Sequence, residues 1–103
     1  MPAYKVSITR AAERDIEECV AFISRDNRAA AGKWLGEILD RIGFLEKFPG
    51  RAPRIPETPA VGGDYRHLVF GNYRIVFRVK GKMVIIVRVI HSARLLHLGE
   101  PPE

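Results

Sequence analysis

Three β-rich runs follow one another between Tyr65 and His91, separated only by Gly71-Asn72 and Gly81-Lys82. No helix or crossover fits into two residues, so these runs must form successive antiparallel hairpins. Tyr73–Lys80 alternates, with Tyr73, Ile75, Phe77 and Val79 on one face and Arg74, Arg78 and Lys80 on the other. Met83–His91 is apolar on both faces apart from Arg88, the pattern of a strand buried on both sides or lying in a sheet centre. A two-residue turn at Gly71-Asn72 pairs Arg66 with Phe77 and so places Arg66 on the core face. Arg74 and Arg78 then share the opposite face with Tyr65 and His67. Arg66 joins them only if it sits at the sheet margin or a bulge shifts the register.

The segment before this meander reads as one strand and two helices. Tyr4–Thr9 alternates apolar and polar residues, and Thr9 can cap a helix beginning at Arg10. Ala12, Ile16, Cys19, Val20 and Ile23 recur at helical spacing, with most of the acidic residues outside that stripe. Asp26-Asn27 breaks the pattern. A second helix carries Ala31, Trp34, Leu35, Ile38, Leu39, Ile42 and Leu45 and is expected to stop near Phe48, before Pro49-Gly50. The short connection makes an antiparallel helical hairpin. Residues 51–63 are rich in proline and glycine and read as an ordered loop or extended link. The order β-α-α-β-β-β predicts an α+β fold, a helical hairpin packed on a small antiparallel sheet. The first strand has no hairpin partner and must pair with a later strand across the helices. With 103 residues the chain is read as a single domain over residues 1–103, its tail at 96–103 expected to be loosely ordered.

Charge is unevenly placed. The first 50 residues are neutral overall. Residues 51–103 carry nine Lys/Arg against four Asp/Glu, which accounts for the net +5. No acidic residue lies between Tyr65 and Gly99, against Arg66, Arg74, Arg78, Lys80, Lys82, Arg88 and Arg94. Such a stretch makes a positive field that attracts anions: nucleic acid, an acidic protein or a phosphate-bearing ligand. The single cysteine, Cys19, forms no internal disulfide and sits on the apolar stripe of the first helix, where a core thiol is expected rather than a nucleophile. No apolar run is long enough to span a bilayer and no signal-peptide pattern opens the chain, so a cytoplasmic protein without membrane contact is expected.

Strong catalytic signatures are missing. No phosphate-binding glycine loop and no dinucleotide fingerprint is present, and His67, His91 and His97 with one cysteine make a poor metal set. No metal and no cofactor is expected. What carries chemistry is the arginine set with His91. Guanidinium groups hold phosphate or carboxylate at two points and stay charged at any useful pH. With His91 as general acid or base such a set can cleave RNA, and without it the set can grip an acidic protein surface.

Four motifs in order then resemble a known family. They are Tyr4-Lys-Val-Ser-Ile-Thr-Arg-Ala-Ala-Glu-Arg-Asp-Ile16, Leu45-Glu-Lys-Phe-Pro49, Tyr65-Arg-His-Leu-Val-Phe-Gly-Asn-Tyr-Arg-Ile-Val-Phe-Arg78 and Ile90-His-Ser-Ala-Arg94. Together they resemble the RelE/ParE superfamily, the toxin half of bacterial toxin–antitoxin pairs, over about residues 4–95. The resemblance implies two helices against a small antiparallel sheet with the first strand paired in its middle. It also implies one of two activities: RelE-like members cut mRNA on the ribosome, and ParE-like members poison DNA gyrase. Arg74 matches the arginine that opens the third strand in the ribonuclease pattern, and Arg94 the arginine after the last strand. Arg66 falls on the first lysine of that pattern and Leu68 on the second, and no tyrosine lies beyond Tyr73. The Leu-x-x-Phe-Pro and His-x-x-Arg segments look more ParE-like.

The favoured expectation is therefore a ParE-like gyrase inhibitor, of the kind that serves plasmid stabilization, with no catalytic residue. Arg66, Arg74, Arg78, His91 and Arg94 are expected to form its target-binding surface. The alternative is a ribosome-dependent mRNA endoribonuclease using Arg74, Arg94 and His91. A further alternative is a binding module of the same fold without toxicity. The resemblance also implies a cognate acidic antitoxin as partner. Phe22, Trp34, Phe44 and Phe48, which give the hairpin more apolar surface than one sheet face needs, are the expected contacts for an amphipathic acidic helix.

Overall fold

The computed structural model describes residues 4–56 and 64–91. Strand β1 (Lys5–Ile8) leads into helices α1 (Arg10–Asp26) and α2 (Arg28–Phe44). A single 3₁₀ turn at Pro49–Arg51 comes next, and then strands β2 (Tyr65–Phe70), β3 (Tyr73–Lys80) and β4 (Met83–His91). Thr9 caps α1 as its position suggests: its hydroxyl accepts the Ala12 N–H at 3.2 Å and donates back to the Ile86 carbonyl at 2.9 Å. One threonine thus starts the helix and fastens it to β4, a cap worth about 1 kcal/mol. Asn27 both ends α1 and caps α2, accepting the Ala30 N–H at 3.0 Å. Helix α2 stops at Phe44, earlier than the sequence suggests. Leu45, Glu46 and Lys47 donate to carbonyls only three residues back, which tightens the last turn ahead of Pro49.

The sheet order is β1-β4-β3-β2. The hairpins form as expected. Gly71 (φ +56°) and Gly81 (φ +60°) each supply the left-handed first position of a two-residue turn, which a β-carbon would strain. Two expectations need correction. The sheet is mixed rather than wholly antiparallel, because β1 pairs parallel with β4; and β1 lies at an edge, not in the middle. The helical hairpin is the crossover that parallel pairing requires. β3 is flanked on both sides by its hairpin partners, so β4 offers β1 its free edge.

The core lies between the helices and one sheet face: Ala12, Ile16, Trp34, Ile38, Ile42 and Leu45 against Ile75, Phe77, Val84, Ile86 and Val89. A smaller cluster of Ile55, Val76 and Ile90 lies on the other face. Ile55 reaches it because the strip Pro53–Ile55 runs along the outer edge of β2: the His67 N–H donates to the Pro53 carbonyl and the Ile55 N–H to that of Tyr65, both at 3.1 Å. A bulge settles the ambiguous pattern of β4. Val76 pairs with Arg88 and Phe77 with Ile86, leaving Val87 unmatched. The extra residue switches parity, so Val84, Ile86 and Val89 all reach the core under the helices, while Arg88, which pairs with Val76, bonds to Asp15 of α1.

Among the described residues no helix is long and apolar enough to cross a membrane.

Candidate functional site

The observed register is the one the Gly71-Asn72 turn predicts: Arg66 opposite Phe77, Tyr65 opposite Arg78, Val69 opposite Arg74. Side chains of period two then divide the expected site. Arg74 and Arg78 stand on the open face, away from the helices. Arg66 stands on the helix side, at the sheet margin. No bulge interrupts β2 and β3, so strand alternation keeps it on the side of Phe77.

Arg66 is a structural strut. Its guanidinium donates to the Ala52 carbonyl at 2.7 Å and to that of Gly50 at 3.4 Å, and its Nε meets the Asp64 carboxylate at 3.1 Å. Those bonds tie the 3₁₀ turn to β2. Arg74 is only 2% exposed. Its Nη1 donates to His67 Nδ1 at 3.2 Å. Since arginine only donates, that ring nitrogen carries no proton. Arg78 is half-buried, with its guanidinium 5.6 Å from the centre of the Tyr65 ring.

His91 lies elsewhere. It pairs with Tyr73, and its ring meets that of Tyr73 edge-on at 6.0 Å, on the helix side. There it lines an open cleft of about 580 Å³ with Asp15, Glu18, Cys19, Phe22 and Tyr73. The cleft carries two carboxylates, so its electrostatics do not favour phosphate. Burial is the main cause that raises the Cys19 thiol from its ordinary 9.0. The nearby Asp15 charge adds to this and a hydrogen bond from Tyr73 opposes it. Burial also raises the Tyr73 hydroxyl. A raised thiol has a smaller thiolate fraction, and Cys19 packs against the edge of the main core.

The single surface of Arg66, Arg74, Arg78 and His91 is therefore not assembled. Strand alternation sends Arg66 and His91 to the helix side and Arg74 and Arg78 to the open face. Along β3, Tyr73, which marks the level of His91, is roughly 17 Å from Arg78 at ~3.4 Å per residue. Arg94 lies outside the described residues, as do the tail at 96–103 and the end of the proline-rich link.

The aromatic set divides as well. Phe22 is 63% exposed, Phe44 41% and Phe48 38%, as an external contact surface requires. Trp34 is a correction: it is only 9% exposed and packs against Tyr73 at 5.3 Å and Phe70 at 6.5 Å. The tryptophan fills the gap between α2 and the ends of β2 and β3. Leu39, counted in the buried stripe, is half exposed. Phe44 and Phe48 lie 5.4 Å apart, and guanidinium groups stack beside this patch: Arg51 over Phe48 at 4.3 Å and Arg41 over Phe70 at 4.2 Å. Sequence reasoning passes over Arg41 and Arg51, although Arg41 and Phe44 stand three apart on α2 and so share a helix face.

The profile of the family described as "ParE toxin of type II toxin-antitoxin system, parDE" matches residues 6–96. Fold and sequence together define a toxin of the RelE/ParE superfamily. Within that superfamily the chain belongs to the ParE toxin family. Among solved structures it is similar to a chain of the chromosomal ParDE toxin–antitoxin system from P. aeruginosa. That match has a TM-score of 0.73 and 23% identity, covering 88% of this chain and 98% of the other. It is also similar to a chain of the RelBE2 toxin–antitoxin complex from Mycobacterium tuberculosis. There the TM-score is 0.62 and the identity 23%, covering 87% and 99%. No curated protein matches the chain.

Proposed function

We propose that this toxin acts as a ParE-like inhibitor of DNA gyrase and is neutralised by a cognate acidic antitoxin. The observation that carries this reading is the separation of His91 from Arg74 and Arg78. A ribonuclease needs a proton-transfer group and phosphate-holding cations around one reacting phosphate, within hydrogen-bond reach. Here the imidazole sits on the helix side beside Asp15 and Glu18, and Arg74 is buried on the other face. In the proposed role Arg78 and Arg94 contact the target by charge, Arg74 shapes the sheet beside Arg78, and His91 belongs to a second contact around Phe22. Phe44 and Phe48, flanked by Arg41 and Arg51, take the apolar and acidic sides of the antitoxin.

Inducible expression without antitoxin, with pulse labelling of DNA and protein synthesis, tests the reading. Arrest of DNA synthesis first is expected. Arrest of protein synthesis first, with mRNA cut on the ribosome, assigns the RelE-like activity instead. Unhindered growth leaves only a binding module.

A further inference from the structure

The cleft on the helix side has one wall from α1 and one from the start of β3 and the end of β4. Asp15, Glu18, Cys19 and Phe22 recur at spacings of three and four on α1 and so share one helix face, with Tyr73 and His91 across from them. The cleft spans about 580 Å³, a size that takes a ligand rather than a single water. Its two carboxylates are not equivalent. Asp15 is committed to Arg88 and to the Val89 N–H. Glu18 is exposed and has no hydrogen bond or ion pair among the described residues.

Phe22 stands one turn beyond Glu18 and is 63% exposed, with no ring or guanidinium stacked on it among the described residues. That sets it apart from Phe48 and Phe70, whose rings carry Arg51 at 4.3 Å and Arg41 at 4.2 Å. A bare aromatic face beside an uncommitted carboxylate matches one side chain best. A guanidinium lies flat on the ring and donates at two points to the carboxylate, whereas an ammonium is a compact, strongly hydrated point charge. The fold itself uses both halves of this chemistry. It stacks guanidinium on ring at Phe48 and Phe70, and in the Arg88–Asp15 pair Nε and Nη2 meet both carboxylate oxygens.

From this cleft we infer that Glu18 and Phe22 form a receptor for an arginine side chain of a partner protein, the guanidinium held between ring and carboxylate. Charge narrows the partner. An acidic antitoxin helix or a nucleic acid would bring its anions against Glu18 and Asp15. A second copy is disfavoured by the +5 that each copy carries. A surface that grips DNA, by contrast, carries arginine and lysine to neutralise phosphate. The occupant is an arginine on the DNA-holding surface of the target, and this source rests on the proposed inhibition of gyrase. In that role the toxin offers the enzyme a carboxylate where DNA offers a phosphate.

Three capped tripeptides, Gly-Arg-Gly, Gly-Lys-Gly and Gly-Glu-Gly, are titrated into the full chain and followed by the NMR signals of Phe22, Tyr73 and His91. The arginine peptide is expected to shift these signals well beyond the lysine peptide at equal concentration, and the glutamate peptide to leave them in place. Glu18→Gln and Phe22→Ala fall at exposed positions. Each is expected to weaken both the arginine peptide and binding to purified gyrase by about tenfold, while Glu18→Gln leaves antitoxin affinity unchanged. An equal response to the lysine peptide, shifts that avoid the cleft, gyrase binding unaltered in both variants, or antitoxin affinity lost in Glu18→Gln would each overturn the assignment. Shifts of the same signals that grow with toxin concentration alone seat a second copy there and overturn it too. Inhibition of gyrase by a toxin whose cleft ignores the arginine peptide overturns the receptor and leaves the proposed function intact. An arginine peptide seated as expected in a toxin that does not bind gyrase removes that source and keeps the receptor.

Discussion

Arg88 and Asp15 form a two-point ion pair between β4 and α1, with Nε to Oδ2 at 2.7 Å and Nη2 to Oδ1 at 3.0 Å. The same carboxylate accepts the Val89 N–H at 2.9 Å. Strand β1 ends at Ile8, opposite Ile86, so beyond that level no strand among the described residues lies beside the edge of β4. At that level the Asp15 carboxylate takes the Val89 N–H that a neighbouring strand would take. An arginine that reads from sequence as part of a cationic surface is thus held by the fold, and its hydrogen bonds to Asp15 raise the guanidinium further above its ordinary value.

Asp15→Ala leaves the Val89 N–H and the Arg88 guanidinium without their acceptor. A loss of about 1–3 kcal/mol is expected, read by urea denaturation. Asp15→Asn keeps one oxygen for Val89 and is expected to lose less. Equal stability of the alanine variant and the parent chain would show that the pair contributes nothing.

Arg66 and Arg78 differ by one strand face and should differ in what they do. Arg66→Ala removes the bonds to Ala52, Gly50 and Asp64, and about 1–2 kcal/mol of stability is expected to go with them. Proteolysis at Arg51 and Arg54 should rise. Arg78→Ala removes a partly solvated contact with Tyr65, so stability is expected to change by less than about 1 kcal/mol while growth arrest weakens. The pair is measured by melting temperature and by colony counts after induction.

These two arginines also show how far the fold is legible in the sequence. The meander, both glycine turns, the Thr9 cap, the break at Asn27 and the register that puts Arg66 on the core side all come from local patterns. The strands carry their period on their face. The parallel pairing of β1 does not, because a crossover connection leaves strand direction and order to tertiary packing. The burial of Trp34 and Arg74 escapes for a related reason: composition shows how much apolar or cationic surface exists, not which part the helices cover. Residue type alone groups His91 with Arg74. The Tyr73–His91 pairing, one residue from Arg74, puts it on the other side.

Raising the pH should unsettle the contact between α1 and β3. Cys19 and Tyr73 are both raised from their ordinary values of 9.0 and 10.0, so the folded chain holds protons that the unfolded chain releases. Their contribution is fully present below pH 9.0 and is lost as the pH climbs through the higher folded values. Stability measured from about pH 8 to about pH 11 is expected to fall over the upper part of that range. Cys19→Ala with Tyr73→Phe should flatten the fall. An unchanged slope in the double variant would contradict the assignment.

Phe44 and Phe48 are exposed, so replacing them probes binding rather than folding. Phe44→Ala and Phe48→Ala are each expected to change stability by less than about 1 kcal/mol, while truncating an aromatic anchor weakens antitoxin binding by about tenfold or more. Titration calorimetry with the antitoxin checks this. Unchanged affinity in both variants would move the antitoxin contact off this part of the hairpin.

Supercoiling of relaxed plasmid by purified gyrase, with the toxin added and then antitoxin, separates gyrase inhibition from mRNA cleavage. Supercoiling is expected to stop on addition of toxin and to resume with antitoxin, while mRNA in a translating ribosome mixture stays intact. Full supercoiling at every toxin concentration, together with cleavage of ribosome-bound mRNA, would contradict gyrase inhibition.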